Sequence, residues 1–248
     1  MMASLTVSRE PVEAISVKPT FVDLSHPFYD AMPGFRMKGA DGSPVEYSAR
    51  IKPFLTHEAS RPLYDGQAAF EITEVHFQTA VGTYLDSPYH RHKDRRDIGA
   101  IEISDVIAEG ICVDLTGHSG GQEIGPAALP DQADLEGKAL LLRFGWDTHF
   151  GTDAYFSYPF LSEKAIDYLS SARPALVGVD TCNIDDSSAP SRPAHTKLLR
   201  EDILIVENLT ALQKLPSTGF RFFAVPIKAK GAASMPVRAF AELRDGAS

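Results

Sequence analysis

Residues 81–92 read VGTYLDSPYHRH, and the rest of the chain is organised around this stretch. It concentrates side chains that can bind a metal or transfer a proton: Tyr84, Asp86, His90 and His92. Gly82 permits a tight turn or a close approach of the backbone. Pro88 has a restricted φ and pushes the preceding residue towards an extended conformation. We therefore predict a sharp turn that carries a carboxylate and two imidazoles, rather than the middle of a helix or a strand.

Two interpretations of this turn follow from its residues. A carboxylate close to imidazoles provides ligands for a metal ion, a general acid and base, or both. Alternatively, Asp86 is an ordinary helix N-cap and Pro88 lies in the first turn of a short surface helix. The stretch taken alone leaves both interpretations open.

The composition is that of an ordinary globular protein. The chain has 248 residues, of which 44% are hydrophobic and 23% are charged. Its net charge of -9 argues against nucleic acid as a partner, because phosphate binding needs a basic face. No segment has the apolar length of a membrane span, and the N-terminus lacks a secretory signal pattern. Cys112 has apolar neighbours that suit a reduced thiol. We therefore expect a cytoplasmic protein with no membrane or nucleic-acid partner.

Short hydrophobic segments predict many strands. Residues 70–80 form the clearest strand before the turn, because the β-forming residues in their second half alternate with polar ones. Further strands are expected at residues 21–24, 111–115, 139–144, 175–179, 203–207, 220–226 and 237–243.

Helices are predicted to be few. The best-signalled one covers residues 161–169, where Ser162 can be the N-cap and Glu163 favours the positive end of the helix dipole. Residues 30–53 are rich in glycine and proline and are expected to be mostly loop. Many strands with few helices predict an α/β fold, a single mixed-sheet domain.

Three common kinds of active site are absent from the sequence. No G-x-G-x-x-G follows a strand into a helix, and there is no G-x-x-x-x-G-K-[ST] loop. There is also no G-x-S-x-G elbow, because the one match to that pattern, at residues 117–121, lies in the glycine- and proline-rich connection after the strand expected at residues 111–115 and no helix is expected after it. These absences argue against a Rossmann site, a P-loop and a serine α/β-hydrolase.

The frame that begins at Ala80 resembles the motif His-x-Gly-Thr-His-x-Asp-x-Pro-x-His of the cyclase family, which includes bacterial kynurenine formamidases and isatin hydrolases. Here it reads Ala-Val-Gly-Thr-Tyr-Leu-Asp-Ser-Pro-Tyr-His. The matching positions are Gly82, Thr83, Asp86, Pro88 and His90. Ala80 and Tyr84 differ, because the family has histidine at both positions.

The resemblance extends over most of the chain. Segments similar to other family elements follow in the family's order at residues 22–27, 142–147, 177–181 and 236–238. His195 and Glu207 are similar to the family's distal histidine and glutamate ligands. The resemblance implies the swivelling β/β/α cyclase fold over residues 20–248, after an N-terminal arm of residues 1–19.

The same resemblance implies a hydrolase that acts on an amide, imide or lactone bond of a small carbonyl compound, as an arylformamidase does. Carried over by position, Asp86, His195 and Glu207 would be metal ligands, and His90 would be the general acid/base. The metal would be zinc or manganese, at a site that lacks two of the family's histidines. Family members are usually oligomeric, so the resemblance also implies a homo-oligomer.

Tyr84 cannot simply replace a histidine ligand, because its phenol must lose a proton with a pKa near 10. A phenol can instead donate to a developing oxyanion, which makes Tyr84 a second candidate catalytic residue. A histidine paired with a carboxylate can also transfer a proton without a metal. Such a metal-free site would suit hydrolysis, ring closure or elimination at a carbonyl compound.

Two classes of function remain open. The first is the hydrolase, with a metal-free cyclase or lyase as its variant. The second is a catalytically inactive small-molecule binding protein on the same fold. Retention of Asp86 and His90 favours the enzyme, because a binding protein has little need of a paired acid and base. Loss of two ligands favours the binding protein.

Overall fold

A curved sheet of nine strands forms the centre of the protein, whose computed structural model describes residues 19–244. The strands are β1 Thr20–Asp23, β2 Pro33–Lys38, β3 Pro44–Leu55, β4 Ile72–Phe77, β5 Tyr84–Asp86, β6 Ile107–Asp114, β7 Glu123–Ile124, β8 Ala139–Arg143, β9 Phe160–Leu161, β10 Leu176–Val179, β11 Leu204–Glu207, β12 Phe220–Phe223, β13 Ser234–Pro236 and β14 Phe240–Leu243. The prediction of a single mixed-sheet α/β domain is confirmed. The arm predicted at residues 1–19 lies, except for Pro19, outside the described residues.

Helices are short and few, as the sequence predicts. The α-helices are α1 His57–Ser60, α2 Gln132–Leu135, α3 Glu163–Ala172 and α4 Pro193–Lys197. Short 3₁₀ helices lie at Arg61–Tyr64, Pro88–His90, Ile98–Ala100, Ile103–Val106, Pro126–Ala128, Trp146–His149, Asp153–Phe156, Leu199–Glu201 and Leu212–Lys214. Ser162 caps α3 as expected, because its hydroxyl accepts a hydrogen bond from the Ala165 N–H.

The main sheet has the order β1-β14-β12-β6-β8-β10-β11-β5-β13. Its four central strands, β6, β8, β10 and β11, are parallel. Runs such as ALLL in β8 and LVGV in β10 suit this position, because central parallel strands are buried on both faces. Side chains alternate between two apolar layers: Leu140 packs with the core around α3, and Leu141 packs with the core on the opposite face.

The prediction of a sharp turn at residues 81–92 is only partly right. Tyr84–Asp86 is a short strand, β5, paired antiparallel with β11 on one side and β13 on the other. The turn follows it as the 3₁₀ helix Pro88–His90, with Ser87 rather than Asp86 at the N-cap. Three residues are too few to show an alternating pattern, so only the long-range pairing reveals this strand.

The expectation of a loop at residues 30–53 is wrong. β2 and β3 pair antiparallel over this region, and β4 adds a third strand on the other side of β3. The prolines Pro33 and Pro44 begin strands, and the turn between the strands contains Gly39 and Gly42. These residues therefore mark the ends of strands rather than an irregular segment.

Two further expectations concern the compartment. Within residues 19–244, no helix has the length and apolar character that a membrane crossing requires. Cys112 and Cys182 are both free and buried, and the first of these agrees with the predicted core thiol. Cytoplasmic location stays a prediction.

Candidate active site

Strand β5 places Tyr84 and Asp86 on one face of the sheet, because alternate residues of a strand point the same way. In the antiparallel ladder with β11, Tyr84 lies opposite Glu207. All three side chains are almost completely buried. Two segments more than a hundred residues apart in sequence therefore deliver a phenol and two carboxylates to one place.

The Tyr84 hydroxyl donates a short hydrogen bond to Glu207 Oε2. The other carboxylate oxygen, Oε1, accepts from the Ile184 N–H at 2.9 Å. Burial, together with the nearby Glu207 charge, holds the pKa of Tyr84 well above its ordinary value. The phenol is therefore protonated and acts as a donor, in keeping with the argument that it is no substitute for an imidazole ligand.

Asp86 is fully buried, yet neither of its carboxylate oxygens has a hydrogen-bond partner among the described residues. Its nearest polar neighbours are imidazoles. His90 Nδ1 lies 3.5 Å from Oδ1, and His195 Nε2 lies 3.6 Å from Oδ2. A buried carboxylate without partners is costly, so this arrangement is typical of a site that receives a cation.

His195 is held in one orientation by Asp185. The His195 Nδ1 atom lies 2.7 Å from Asp185 Oδ2, and the same carboxylate accepts the backbone N–H groups of Ala194 and His195 at the start of α4. The opposite ring nitrogen, Nε2, then faces Asp86 and lies 3.5 Å from Glu207 Oε1. A carboxylate behind a histidine in this way is the usual support for a metal ligand.

The carboxylates also set the charge of His195. Burial by itself opposes the charged form, but Glu207, Asp185 and Asp86 together raise the pKa of His195 above its ordinary value. Burial raises the pKa of Glu207 as well. Without a metal, a protonated imidazole therefore compensates the buried negative charge, and a metal would have to displace that proton.

The donors fit a divalent metal ion. One ligand atom each from Asp86, His90 and His195 lies within 4.8 Å of the other two. The structure thus brings two of the three predicted ligands, Asp86 and His195, together with the predicted acid/base His90. Glu207 Oε1 lies 3.5 Å from His195 Nε2, the nitrogen that also faces Asp86. Each Glu207 oxygen already accepts a hydrogen bond. The predicted ligand set and His90 therefore all meet around His195.

His90 is the exposed member of this group, with 37% of its side chain accessible. It ends the 3₁₀ helix Pro88–His90, and its ring centroid lies 5.6 Å from that of His195. Because its Nδ1 faces Asp86, its Nε2 lies on the opposite side of the ring. The neighbouring His92 is directed away, since its Nε2 lies 2.9 Å from the Thr196 carbonyl oxygen.

A cleft of about 200 Å³ opens onto these residues. Its lining residues are Phe35, Met37, Tyr47, Ala80, Tyr84, His90, Arg91, Asn183, Arg192 and His195. A second cavity with an aromatic lining adjoins it and shares Phe35, Ala80 and Tyr84 with it. Ala80 stands where the related motif has a histidine, and its small side chain lies between the two spaces.

Sequence reasoning missed three residues of the site: Asp185, Asn183 and Arg192. Asn183 Oδ1 accepts the Asp185 N–H at 2.9 Å and thereby holds the loop after β10. Arg192 Nε lies 3.6 Å from Asp185 Oδ2. These residues could have been found from the sequence, because they form a cluster of polar residues directly after a buried parallel strand. Binding sites form at the carboxyl ends of such strands.

The Cyclase family model matches residues 22–186. A kynurenine formamidase of Polaromonas naphthalenivorans is 24% identical over 168 residues, which cover 68% of this chain and 73% of that protein.

Two solved structures have the same fold. Isatin hydrolase A from Ralstonia solanacearum superposes with a TM-score of 0.79 at 20% identity, over 91% of this chain and 92% of that one. A protein described as a predicted metal-dependent hydrolase, from Bacillus stearothermophilus, superposes with a TM-score of 0.70 at 20% identity, over 92% of this chain and 100% of that one. The nine-stranded sheet therefore belongs to a known architecture.

Proposed function

This chain belongs to the Cyclase family, and from that premise we propose that it hydrolyses an amide, imide or lactone bond in a small carbonyl compound, as an arylformamidase does. One observation carries the proposal: the partnerless buried carboxylate of Asp86 meets His90 and His195 at a cleft. The names of the kynurenine formamidase and the isatin hydrolase support the same reaction class.

The proposed cofactor is a divalent metal ion, zinc or manganese. Asp86 and His195 would hold it, with Glu207 as the third ligand, because one carboxylate and one imidazole already face each other there. Nitrogen and oxygen donors of this kind suit both metals. When bound, the metal acts as a Lewis acid on the substrate carbonyl. The description of the Bacillus stearothermophilus protein as metal-dependent supports this part of the proposal.

His90 is the proposed general acid/base. Its exposed ring lies at the cleft, while Asp86 faces its Nδ1 at 3.5 Å. In this position the imidazole would take a proton from the attacking water and deliver a proton to the leaving nitrogen or oxygen. Imidazole performs both steps near neutral pH.

Tyr84 is the proposed second catalytic residue. The residue lines both the cleft and the aromatic cavity, and its hydroxyl carries a proton. It would donate that proton in a hydrogen bond to the oxyanion that develops on the carbonyl. Because a hydroxyl has one hydrogen, this role requires it to leave Glu207 when substrate binds.

The test uses the full chain purified without chelator. We expect a stoichiometric divalent metal by mass spectrometry and hydrolysis of N-formylkynurenine, isatin or an aryl lactone. Dialysis against a chelator should abolish turnover, and added zinc or manganese should restore it. If the metal-loaded protein hydrolyses none of the three, the hydrolase proposal is wrong.

The hydrogen bond from Tyr84 to Glu207 favours one alternative. It occupies a carboxylate oxygen that a metal would otherwise use, and Ala80 offers no ligand. The loss of these two ligand positions would suit a protein that binds the same compounds without turnover. It would also suit an enzyme that catalyses ring closure or an elimination reaction on them without a metal. Substrate binding in calorimetry without any product would support the binding protein.

We further propose a homo-oligomer. The three-stranded sheet β2-β3-β4 exposes large apolar side chains, which include Phe54 in β3 and Ile72 and Val75 in β4. Exposed apolar groups of this size commonly mark interfaces. Light scattering on the purified protein would give the mass, and a monomer at micromolar concentration would contradict the proposal.

A further inference from the structure

Asn208 follows directly after Glu207 at the end of β11, and the proposed hydrolysis gives it no role. Its side chain is buried. Its φ of 58° lies in the left-handed region, which asparagine tolerates better than most residues other than glycine. The ladder with β5 ends at Glu207, and the Asn208 N–H donates to the Thr181 carbonyl at 3.0 Å. Asn208 therefore marks the point where the pairing of the two strands stops.

Asn208 connects the two segments beyond the end of that ladder. Its Nδ2 donates to the Gly82 carbonyl at 2.7 Å, and its backbone carbonyl accepts from Thr83 Oγ1 at 2.6 Å. Gly82 and Thr83 lead directly into β5, which begins at Tyr84. A strand of three residues has few ladder hydrogen bonds of its own. The two additional bonds just before Tyr84 therefore help to fix where that residue lies along β11.

The other end of the Asn208 amide binds a third segment. A carbonyl can only accept, so the amide nitrogen must face Gly82 and Oδ1 must face away from it. Oδ1 accepts a hydrogen bond from the Tyr155 hydroxyl at 2.8 Å. Tyr155 is buried, and burial holds its pKa well above the ordinary value, so the phenol remains a donor. One amide thus links the 3₁₀ helix Asp153–Phe156 to the entry of β5.

The packing around Tyr84 leaves its ring little freedom. Tyr84, Tyr155 and Asn208 line the same aromatic cavity, whose volume is about 20 Å³. This is room for about one water molecule. The ring of Tyr84 therefore has little space into which it could move while Tyr155 stays in place. The hydroxyl hydrogen can still rotate from Glu207 towards a substrate, because that motion displaces no heavy atom.

We infer that Asn208 is the positioning residue for Tyr84. Its amide joins the entry of β5 to the segment of Tyr155 and thereby holds the Tyr84 hydroxyl against Glu207. Asparagine meets three requirements at once, because it tolerates a left-handed backbone and carries both a donor and an acceptor close to that backbone. The inference rests on the proposed function for the chemical role of Tyr84, but the position of Tyr84 can be measured without turnover.

Proton NMR of the intact chain without substrate measures that position. The hydroxyl proton in the short bond from Tyr84 to Glu207 should give a resonance far downfield, and its loss in Tyr84→Phe assigns it. Asn208→Gly keeps the left-handed backbone and removes both amide bonds, so this resonance should shift or disappear. Ala211→Gly is the matched control, because Ala211 has a similar φ of 59° and its methyl group forms no hydrogen bond. The control should leave the resonance unchanged.

Tyr155→Phe is the second variant. It removes one hydroxyl and keeps the buried ring, so it should fold even if Asn208→Gly does not. We expect a shift of the Tyr84 resonance that is smaller than in Asn208→Gly. An unchanged resonance in Asn208→Gly overturns the inference, and if that variant does not fold, an unchanged resonance in Tyr155→Phe does so. A parent protein without the resonance also overturns it, because Tyr84 would then not be held on Glu207.

Kinetics separate positioning from a merely structural role. A catalytic group displaced by about 1 Å can cost on the order of 10²-fold in rate, so Asn208→Gly should lower kcat. KM should change little, because Tyr84 acts on the developing oxyanion. In a Tyr84→Phe background the same substitution should lower kcat no further, since both changes act through one hydroxyl. An equal loss of kcat in both backgrounds overturns the inference.

The two proposals fail separately. If no formamide, imide or lactone is hydrolysed but Asn208→Gly moves the Tyr84 resonance, the hydrolase proposal fails and the role of Asn208 stands. If hydrolysis occurs and Asn208→Gly changes neither the resonance nor kcat, the hydrolase stands and the role of Asn208 fails.

Discussion

Tyr84 and Glu207 lie directly opposite each other in the antiparallel ladder between β5 and β11, and the hydroxyl of the first donates to the carboxylate of the second. Cross-strand neighbours have their Cβ atoms about 5 Å apart, so the pairing register alone brings these side chains into contact. A residue that stands in place of a family histidine is thereby connected to a proposed metal ligand.

Tyr84→Phe tests what this hydroxyl does. The variant should fold, because the ring remains buried, but it should lose about 1–3 kcal/mol of unfolding free energy, since Glu207 Oε2 would keep only the long 3.5 Å hydrogen bond from Asn183 Nδ2. Turnover should fall as well. Denaturant unfolding and steady-state kinetics measure the two effects, and Tyr64→Phe, at an exposed position, is the control. A stable variant with an unchanged rate would remove Tyr84 from the catalytic residues.

His90→Ala tests the general acid/base. A positioned acid/base typically contributes about 10²–10⁴-fold in rate, so kcat should fall by that order. The fold and substrate binding should persist, since the His90 side chain is exposed and lies outside the apolar cores. His76→Ala, on the exposed face of β4, is the matched control. A His90→Ala rate within a few-fold of the parent would show that another group transfers the proton.

Asp185→Asn tests the support behind His195. The amide keeps the shape but offers one acceptor oxygen for the three donors that the carboxylate serves. Metal affinity should fall by about 10–100-fold, as for other residues that orient a ligand. Competition with a chromogenic chelator measures the affinity. Asp186→Asn, one residue further on, is the control, because that carboxylate bonds only within its own turn at Ser188. Equal affinity in both variants would mean that Asp185 is not needed to orient His195.

His26 predicts a pH dependence of stability. Burial lowers the pKa of His26 to about 4, against 6.5 as its ordinary value, although Asp147 opposes this shift. The ring stacks on Phe150 with centroids 3.8 Å apart. At pH values between these two, the imidazole is protonated in the unfolded chain but not in the folded protein. The contribution of the neutral ring to the unfolding free energy is therefore complete above about pH 6.5 and is lost as the pH falls towards 4.

His26→Gln should therefore weaken the dependence of the unfolding free energy on pH. Between pH 7 and pH 5, the parent protein should lose on the order of 1 kcal/mol more unfolding free energy than the variant. Urea unfolding at several pH values measures this, and the difference between the two proteins removes the contribution of other titrating groups. Parallel curves would show that His26 is protonated as easily in the folded protein as in the unfolded chain.

Much of the fold was predictable from local patterns. Apolar runs such as ALLL in β8 indicate buried strands wherever they occur, and Ser162 before an amphipathic segment indicates a helix start. The order of the motifs along the chain was sufficient to identify the family and its fold. β5 and the β2–β3 pair were not predictable in this way, because a three-residue strand has no period and strand-ending glycines resemble loop glycines.

The candidate site, too, has features that the local sequence predicts and features that depend on long-range packing. Residues 81–92 determined by themselves that the Asp86 carboxylate and the His90 imidazole lie close together, because a short turn cannot separate them. Only the tertiary structure decided which distant groups join them. His195 and Asp185 meet Asp86 because α4 and the loop after β10 pack at the end of the sheet, and Glu207 meets Tyr84 because β11 and β5 pair in one register rather than another. A shift by one residue would turn Tyr84 and Asp86 to the opposite face, and no local feature of the sequence sets that register.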